Sequence, residues 1–449
     1  MQKSSSLGTE KISRLLLQQA VPAAIGFMVM SINMVVDTYF VGQYIDNLAI
    51  GAISIVMPIS FLISSFGMAV GIGGASIISR ALGAKDNDRA QRAFNNQITL
   101  TTIGSSLFIL LGFIFKIPIL SLFGAQGELM EYSDIYFTLI LFGMPFLSGA
   151  MMANSNLRAE GKARFPMVIM IILSVSNIVL DYILVAKLNW GMEGAAWATT
   201  LSYVFGGGTL AVYYLSGKAE LKIMPKYFRL ERNIVFEIAS IGMVSMVRQG
   251  SIAVLTIILN HSLFYYGVAK GIGGEMAVSI YGIVNRIAMF AFFALIGIAQ
   301  GMMPIVGYNF GAKQFDRVRH VVRISVIWGF VIAGFIAALL LSFSDRIPAI
   351  FNDDPLLLEH TPTAIFWVFL ATPLLILQLV GATYYQAIGK GLPALLLTLT
   401  KQGFFLIPIV LILSNYYGLE GIWYSFPIAD ILSAAVCYYF LVKGLRKLA

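Results

Sequence analysis

Long apolar stretches recur along the whole chain and are separated by short polar segments. A helix needs about 20 mostly apolar residues to cross a hydrocarbon core of ~30 Å, where every backbone polar group must be paired within the protein. The pattern contains twelve such stretches. They predict transmembrane helices at 14–41, 47–79, 95–116, 131–156, 164–187, 192–216, 234–266, 275–308, 318–342, 359–388, 392–414 and 419–442.

Composition excludes an ordinary soluble protein. Of the 449 residues, 58% are hydrophobic and only 12% are charged, and the mean hydropathy is +0.83. We therefore predict an all-α polytopic membrane protein. The first apolar run continues unbroken past Arg14 without a cleavage signal, so we expect it to remain as helix 1. The single cysteine, Cys437, excludes an internal disulfide.

Basic residues alternate between the two sides of the predicted membrane. They concentrate in the N-terminal segment, in every second loop and in the C-terminal segment, whereas the other loops contain only Lys116, Lys187, Lys270 and Arg346. The positive-inside rule then predicts that both termini are cytoplasmic in a multi-pass protein of the inner (plasma) membrane. This placement accounts for the net charge of +8 without a nucleic-acid partner.

The two halves of the chain resemble each other. ALGAKDNDRAQRA aligns with NFGAKQFDRVRHV 228 residues later, and two shorter matches occur in the same order. The matched positions begin at Ala81 and Asn309, at Gly161 and Gly389, and at Gly191 and Gly418. We predict two homologous six-helix lobes in parallel orientation: an N-lobe at 1–216, a cytoplasmic linker at 217–232 and a C-lobe at 233–449.

Ionisable residues within predicted membrane spans are few. A charge at the bilayer centre costs ~2.5 to 3.5 kcal/mol even on insertion scales, so each one needs an explanation. The six are Asp37, Asp181, Arg248, Arg286, Lys401 and Asp430.

The N-lobe acids have polar neighbours at the same predicted depth. Asn177 and Asp181 are four residues apart on one face of helix 5, and Thr199 lies at similar depth on helix 6. Together with Asp37 on helix 1, they form a cluster of oxygen ligands without a counter-cation. Either protons shared by the carboxyls or Na⁺ suits such a cluster. The alternative is that both acids are structural and bond to neighbouring polar groups.

Helix 1 also contains Pro22, which removes one i→i−4 hydrogen bond and predicts a kink. It is either a hinge for Asp37 or a static bend. In the C-lobe, Lys401 and Asp430 lie at matching depth with Arg248 and Arg286 nearby in level, so we predict a structural network of buried ion pairs there. The three histidines are scattered, and no metal or nucleophile motif is visible.

The VDTYFVG end of helix 1, the NIVLD run of helix 5 and the GAKDNDRAQ loop resemble the multidrug and toxic compound extrusion (MATE) family of the MOP superfamily, in its DinF-like branch. The resemblance implies a coupling site at Asp37, Asn177, Asp181 and Thr199, and a bending proline at Pro22. One departure is Tyr182, where the branch often has proline.

The resemblance also implies a function. We expect a cation-coupled (H⁺ or Na⁺) efflux antiporter that exports cationic or amphipathic drugs by alternating access, and not an enzyme. We expect no cofactor beyond the coupling ion, membrane lipid as surroundings and a monomer. The alternative is a flippase for a lipid-linked sugar, which Arg248, Arg286 and Lys401 would favour. A channel or receptor is a third class.

Overall fold

The structure, a computed structural model, describes residues 4–351 and 354–448. These residues form helices and the turns that connect them, and they contain no strand. The predicted twelve spans are confirmed. We number them α1 (Ile12–Tyr44), α2 (Asn47–Gly83), α3 (Asn87–Ile114), α4 (Glu128–Ala159), α5 (Arg164–Leu180, extended by a π-helix at Asp181–Lys187), α6 (Gly191–Leu215), α7 (Arg232–Lys270), α8 (Gly274–Gly311), α9 (Phe315–Ser342), α10 (Pro355–Leu370 and Leu375–Ala387), α11 (Gly391–Leu399, a π-helix at Thr400–Leu406, and onward from Ile407) and α12 (ending at Arg446).

Two details of this helix set differ from the apolar pattern. Within the described ranges, ten continuous helical rods are long and apolar enough to cross a membrane, and the longest, Gly391–Arg446, contains both α11 and α12. Gly418 divides them, because its φ of 59° and ψ of −134° are not helical. The remaining span is α6, which is long enough but less apolar than the ten.

The repeated sequence motifs are helix ends. Lys85 and Lys313, the lysines of the two Gly-Ala-Lys motifs, both adopt left-handed conformations with φ of 61° and 57°. Gly161 and Gly389 share φ values of 80° and 81° at the ends of α4 and α10. A left-handed residue after the last turn lets backbone N–H groups cap the terminal carbonyls. The motifs therefore repeat because each half ends its second and fourth helices in the same way.

The described chain packs as two compact units. The first contains Ile25–Ser245 and the N-terminal segment that ends at Thr9, and the second contains Glu10–Ala24 and the chain from Met246 onward. Helices α1 and α7 are therefore each divided between the units. These packing units are a different division from the lobes inferred from the repeat, and the lobe boundaries at 216 and 233 stay a prediction.

Glycines allow close helix packing inside the first unit. A Cβ built on Gly67 of α2 would lie 2.5 Å from the carbonyl oxygen of Ser148 on α4, and one on Gly71 would lie 2.7 Å from the Cα of Met152. No real side chain tolerates such distances, so the two backbones approach closely only because these positions have no Cβ. The GIGG segment that begins at Gly71 is thus a packing feature.

The same device attaches the divided helices to their units. In the first unit, Gly73 of α2 lies against the backbone of Ile238 on α7, where a Cβ would come within 2.2 Å of the carbonyl oxygen. In the second unit, Gly301 of α8 lies against Ala20 on α1, where a Cβ would come within 2.7 Å of the backbone nitrogen. Each half of the molecule thus packs a segment of the other half's first helix against its own second helix.

The linker that follows α6 is fixed to α3. Four polar side chains of α3 hydrogen-bond to the linker backbone, and Asn95 and Asn96 are fully buried. Each of these two amides both donates and accepts: Asn95 bonds to the carbonyl of Lys222 and the N–H of Met224, at 3.0 and 2.7 Å. Gln91 donates to the carbonyl of Glu220 and accepts from the N–H of Lys222. Asn96 donates to the carbonyls of Tyr227 and Arg229 and accepts from the N–H of Glu231, and the Thr99 hydroxyl donates to the carbonyl of Phe228. The linker is therefore part of the first unit.

A buried ion pair lies beside this linker, outside the membrane spans. Lys162 Nζ is 2.8 Å from the Glu160 carboxylate, whose side chain is 0% exposed, and it also donates to the Tyr213 hydroxyl at 2.7 Å. The backbone N–H of Glu220 donates to the same carboxylate at 3.1 Å. Burial raises the pKa of Glu160, and Lys162 opposes that rise. An acid with a raised pKa stabilises the folded state at low pH and loses that contribution as the pH rises through its folded pKa.

We expect Lys162→Met to destabilise the protein in a pH-dependent way. The substitution leaves a buried carboxylate without its cation, a loss of about 3 to 5 kcal/mol for such pairs when the acid is ionised. At low pH Glu160 takes up a proton and the loss shrinks. Melting temperatures measured at pH 8 and pH 5 check this.

The matched control is the double variant Glu160→Gln with Lys162→Met, which has no buried charge. Because this double variant has no buried charge here, the difference between its melting temperature and that of the wild type should change much less between pH 8 and pH 5 than it does for Lys162→Met. An equal loss of stability at both pH values for Lys162→Met would contradict the assignment.

Candidate functional site

The structure brings Asp37 and Asp181 together inside the first unit. Asp181 at the end of the α-helical part of α5 is fully buried, and Asp37 on α1 is half-buried with its Oδ1 inaccessible. Their carboxyl groups lie within hydrogen-bonding range of each other. Two carboxyls at this range repel each other strongly when both are ionised in a low-dielectric interior.

A pair of amides lies one helical turn away from the acids. Asn177 precedes Asp181 by four residues, and Asn33 precedes Asp37 by four. The Nδ2 of Asn33 donates to the Oδ1 of Asn177 at 2.9 Å, which joins α1 to α5. Asn177 is thus part of the cluster predicted from sequence. Asn33 was not predicted, although its i, i+4 spacing to Asp37 is a signal that could have found it.

The cluster has more acceptors than donors. Within residues 4–351 and 354–448, no hydrogen bond reaches five of its buried atoms. These are Asp37 Oδ1, both carboxylate oxygens of Asp181, Asn33 Oδ1 and Asn177 Nδ2. Four of the five are oxygens that accept, and buried polar groups are seldom left unpaired. A proton between the carboxyls or a small hard cation would satisfy these oxygens.

Thr199 lies beside a tyrosine at the edge of the cluster. Thr199 is a neighbour of the buried Tyr136 of α4, which also lies near enough to Asp37 and Asp181 to interact electrostatically. Tyr203, one turn after Thr199 on α6, interacts with Asp37 in the same way. The spacing to Thr199 could have found Tyr203, whereas no sequence signal singles out Tyr136.

Helix α5 changes its winding at the acid. The α-helix ends at Leu180, and a π-helix runs from Asp181 to Lys187. A π-turn has an extra residue per turn and is common where a helix contributes to a functional site. Tyr182, which stands where the DinF-like branch often has proline, lies inside this π-helix with 47% of its surface exposed. The helix therefore continues beyond Asp181.

Pro22 lies inside α1, which is helical from Ile12 to Tyr44. The proline belongs to the part of α1 that packs in the second unit, and Ala24 is the last residue of that part. From Ile25 onward the helix packs in the first unit and leads to Asp37. The helix thus passes from one unit to the other within three residues of its proline.

In the second unit, the predicted ion pair is present but the predicted network is not. Lys401 Nζ lies 2.6 Å from Asp430 Oδ1, and both side chains are buried. Arg286 is exposed at the protein surface, which corrects the prediction that it is buried, and Arg248 is half-buried. Among the described residues neither arginine forms an ion pair. The position of a residue in the sequence gives its depth along a helix. It does not show whether that side of the helix faces the protein interior or the surface.

A duplicated bundle of twelve membrane-spanning helices is the architecture of polytopic transporters. The MatE family model matches this chain at residues 22–183 and again at 252–412, once in each half. The chain belongs to this family of multidrug and toxic compound extrusion transporters, as the sequence resemblance predicted, and it is a transporter and not an enzyme. The two matches start 230 residues apart, in agreement with the repeat.

Curated relatives cover nearly the whole chain. "Multidrug export protein MepA" of Staphylococcus saprophyticus is 27% identical over 418 residues, 92% of this chain and 90% of that protein. "Probable multidrug resistance protein YoeA" of Bacillus subtilis is 25% identical over 430 residues, 93% and 91% of the two chains. A crystal structure of "MATE in the straight conformation" matches with a TM-score of 0.93 at 22% identity over 100% of this chain and 99% of that one. It confirms the two-lobe MATE fold.

We expect Asp181→Asn to stabilise the protein at pH 8 in a buffer without metal cations. The amide removes the repulsion between the two carboxyls and supplies a donor for Asp37. For a chain of 449 residues, a gain of about 1 kcal/mol would raise the melting temperature by roughly 1 °C. Thermal unfolding in choline chloride measures it, with the surface variant Asp316→Asn as control. A lower melting temperature for Asp181→Asn alone would mean that the carboxyl pair is not strained.

Proposed function

We propose that the protein is a cation-coupled efflux antiporter that exports cationic or amphipathic drugs and uses the Asp37–Asp181 pair as its coupling site. One observation carries the proposal: the buried carboxyl of Asp181 and the half-buried carboxyl of Asp37 lie together in one unit, with no hydrogen-bond donor supplied by the described residues. H⁺ or Na⁺ entering this pair would relieve the repulsion between the two carboxyls, and Asn177 and Thr199 would supply further oxygens. The names of relatives such as the MepA and YoeA proteins support drugs as substrates.

Coupling requires that the ion bind one conformation better than the other. The carboxyls belong to two helices, α1 and α5, so the ion binds most tightly when both helices present their oxygens to it. A conformation that moves Asp37 away from Asp181 would lose the ion. Drug binding and ion binding then place opposite requirements on the position of α1, so that ion binding promotes drug release.

Helix α1 supplies the mechanical link. Its first part, with Pro22, packs in the second unit, and its remainder, with Asp37, packs in the first. Proline weakens the helix by removing one backbone hydrogen bond, so bending is easiest there. We propose that Pro22 is the hinge through which occupancy of the acids changes the path of α1.

The other expected properties follow the same proposal. The protein would act as a monomer in the plasma membrane, with both termini on the cytoplasmic side and H⁺ or Na⁺ as the coupling ion. The flippase alternative has less support, because Asp430 neutralises Lys401, one of the three basic residues that would favour it.

We expect Asp37→Asn to slow gradient-driven transport strongly. Purified protein in liposomes would accumulate a cationic dye under an imposed pH gradient or, separately, an imposed Na⁺ gradient. Loss of the carboxylate should lower the initial rate about tenfold or more, since each factor of ten corresponds to ~1.4 kcal/mol of ion affinity. The gradient that drives the wild type identifies the ion.

Asp316→Asn is the matched control, because it removes an acid whose side chain is 96% exposed. It should transport at the wild-type rate. Wild-type transport by Asp37→Asn would rule out the coupling site, and translocation of a lipid-linked sugar by the wild type without any ion gradient would favour the flippase.

We expect Pro22→Ala to slow transport while leaving the ion site intact. Alanine restores the missing backbone bond and is ~3 kcal/mol more favourable than proline inside a helix, so α1 stiffens. The transport rate should fall several-fold, and stabilisation by the coupling ion, measured by thermal unfolding, should match the wild type. Transport at the wild-type rate would show that Pro22 is only a static feature of the helix.

A further inference from the structure

The fifth helix of each half widens at a charged residue. In α5 the π-helix Asp181–Lys187 begins with Asp181, and in α11 the π-helix Thr400–Leu406 has Lys401 as its second residue. In the first unit the π-helical charge faces a like charge, Asp37. In the second unit it faces an opposite charge, Asp430, which α12 supplies. Both halves thus place a carboxyl beside the π-turn of the fifth helix. Among the described residues, only the second half also supplies a cation there, the ammonium of Lys401.

The Lys401–Asp430 pair is not explained by stability. Its side chains are 12% and 1% exposed, so both charges are largely removed from water. Replacing such a pair by well-packed apolar residues is often neutral or stabilising, because desolvation offsets the attraction. A role other than stabilisation is therefore needed to explain why the second unit contains this buried ion pair.

The Asp430 carboxyl is buried and only partly satisfied by the residues that the structure describes. Its Oδ1 is 2.6 Å from the Lys401 ammonium, and its buried Oδ2 accepts no hydrogen bond from the residues that the structure describes. Hydroxyls lie on the adjoining turns: Ser433 is three residues along α12, and its oxygen is 2.8 Å from that of Thr400, the neighbour of Lys401. Carboxylate and hydroxyl oxygens are ligands for a hard cation.

We propose that Asp430 forms a monovalent-cation site in the second unit and that the ammonium of Lys401 permanently occupies it. Lysine is suited to this because its ammonium is a compact point charge on a long, flexible stem. The inference rests on the proposed function and deepens it. Coupling ions bind only in the first unit, because the ammonium of Lys401 already occupies the cation site of the second unit. Lys401 thereby sets the number of coupling ions.

The test removes the Lys401 ammonium, so that an added cation can bind at Asp430. All variants carry Asp37→Asn, so that binding in the first unit does not contribute. Lys401→Ala in this background should gain a melting-temperature rise of about 2 °C or more when choline chloride is replaced by NaCl or RbCl at constant ionic strength, because a ligand bound only to the folded state stabilises it. Ethylammonium chloride, which resembles the end of the lysine side chain, should give a rise too.

Two controls make the result specific. Asp37→Asn alone should not respond, because the lysine still fills the site, and adding Asp430→Asn to the Lys401→Ala variant should abolish the response. If Lys401→Ala does not fold, Lys401→Ser, which supplies a hydroxyl, replaces it, and binding of radioactive Na⁺ or Rb⁺ is measured directly.

A folded Lys401→Ala protein that responds to neither ion nor ethylammonium overturns the inference. So does a response that survives Asp430→Asn, or a stability that changes with pH but not with cations, since Asp430 would then take a proton instead of an ion. These outcomes are independent of transport by Asp37→Asn. That variant transporting normally would refute the proposed function and leave the unblocked site in place.

Discussion

The constraint on which this structure depends is the difficulty of keeping two carboxyl groups together in an interior that contains little water. Asp37 and Asp181 lie within hydrogen-bonding range on α1 and α5, and the described chain gives them no counter-cation and no donor. The repulsion within such a pair is relieved when the two carboxyls share a proton or bind a small cation. The rest of the first unit holds the two helices in place around this requirement: amides of Asn33 and Asn177 join them one turn away, and glycines of α2 bring α4 close.

Helix α1 connects this requirement to the rest of the molecule. It is one continuous helix, yet its two parts pack in different units. The part of α1 before Ile25 packs at Ala20 and Ala24 against Gly297 and Gly301 of α8, and the part after it carries Asp37. The equivalent division of α7 means that the arrangement is shared by both halves, although only α1 carries a proline near the point of division and an acid beyond it.

Much of the fold could be predicted from the sequence because it follows from one-dimensional rules. The spacing of apolar stretches and the alternation of basic loops predicted twelve helices, and the matches between halves fell on residues whose left-handed backbone conformation repeats. The meeting of Asp37, Asn177 and Asp181 could also be predicted, because depth along a helix follows from residue number. Contacts that depend on the rotation of a helix about its axis could not. Tyr136 has no sequence signal, and Arg286 proved to be exposed. The exchange of α1 and α7 between units arises from packing of glycines against backbone, which no hydropathy pattern records.

That exchange also bears on how such a molecule assembles. A chain cut in the linker that α3 holds would yield two fragments, each carrying a first-helix segment that completes the other's core and lacking the one that completes its own. Neither fragment could finish its packing in isolation, whereas two together could trade segments, as domain-swapped dimers do. The covalent linker makes this exchange intramolecular, so each half receives its missing segment from the same polypeptide.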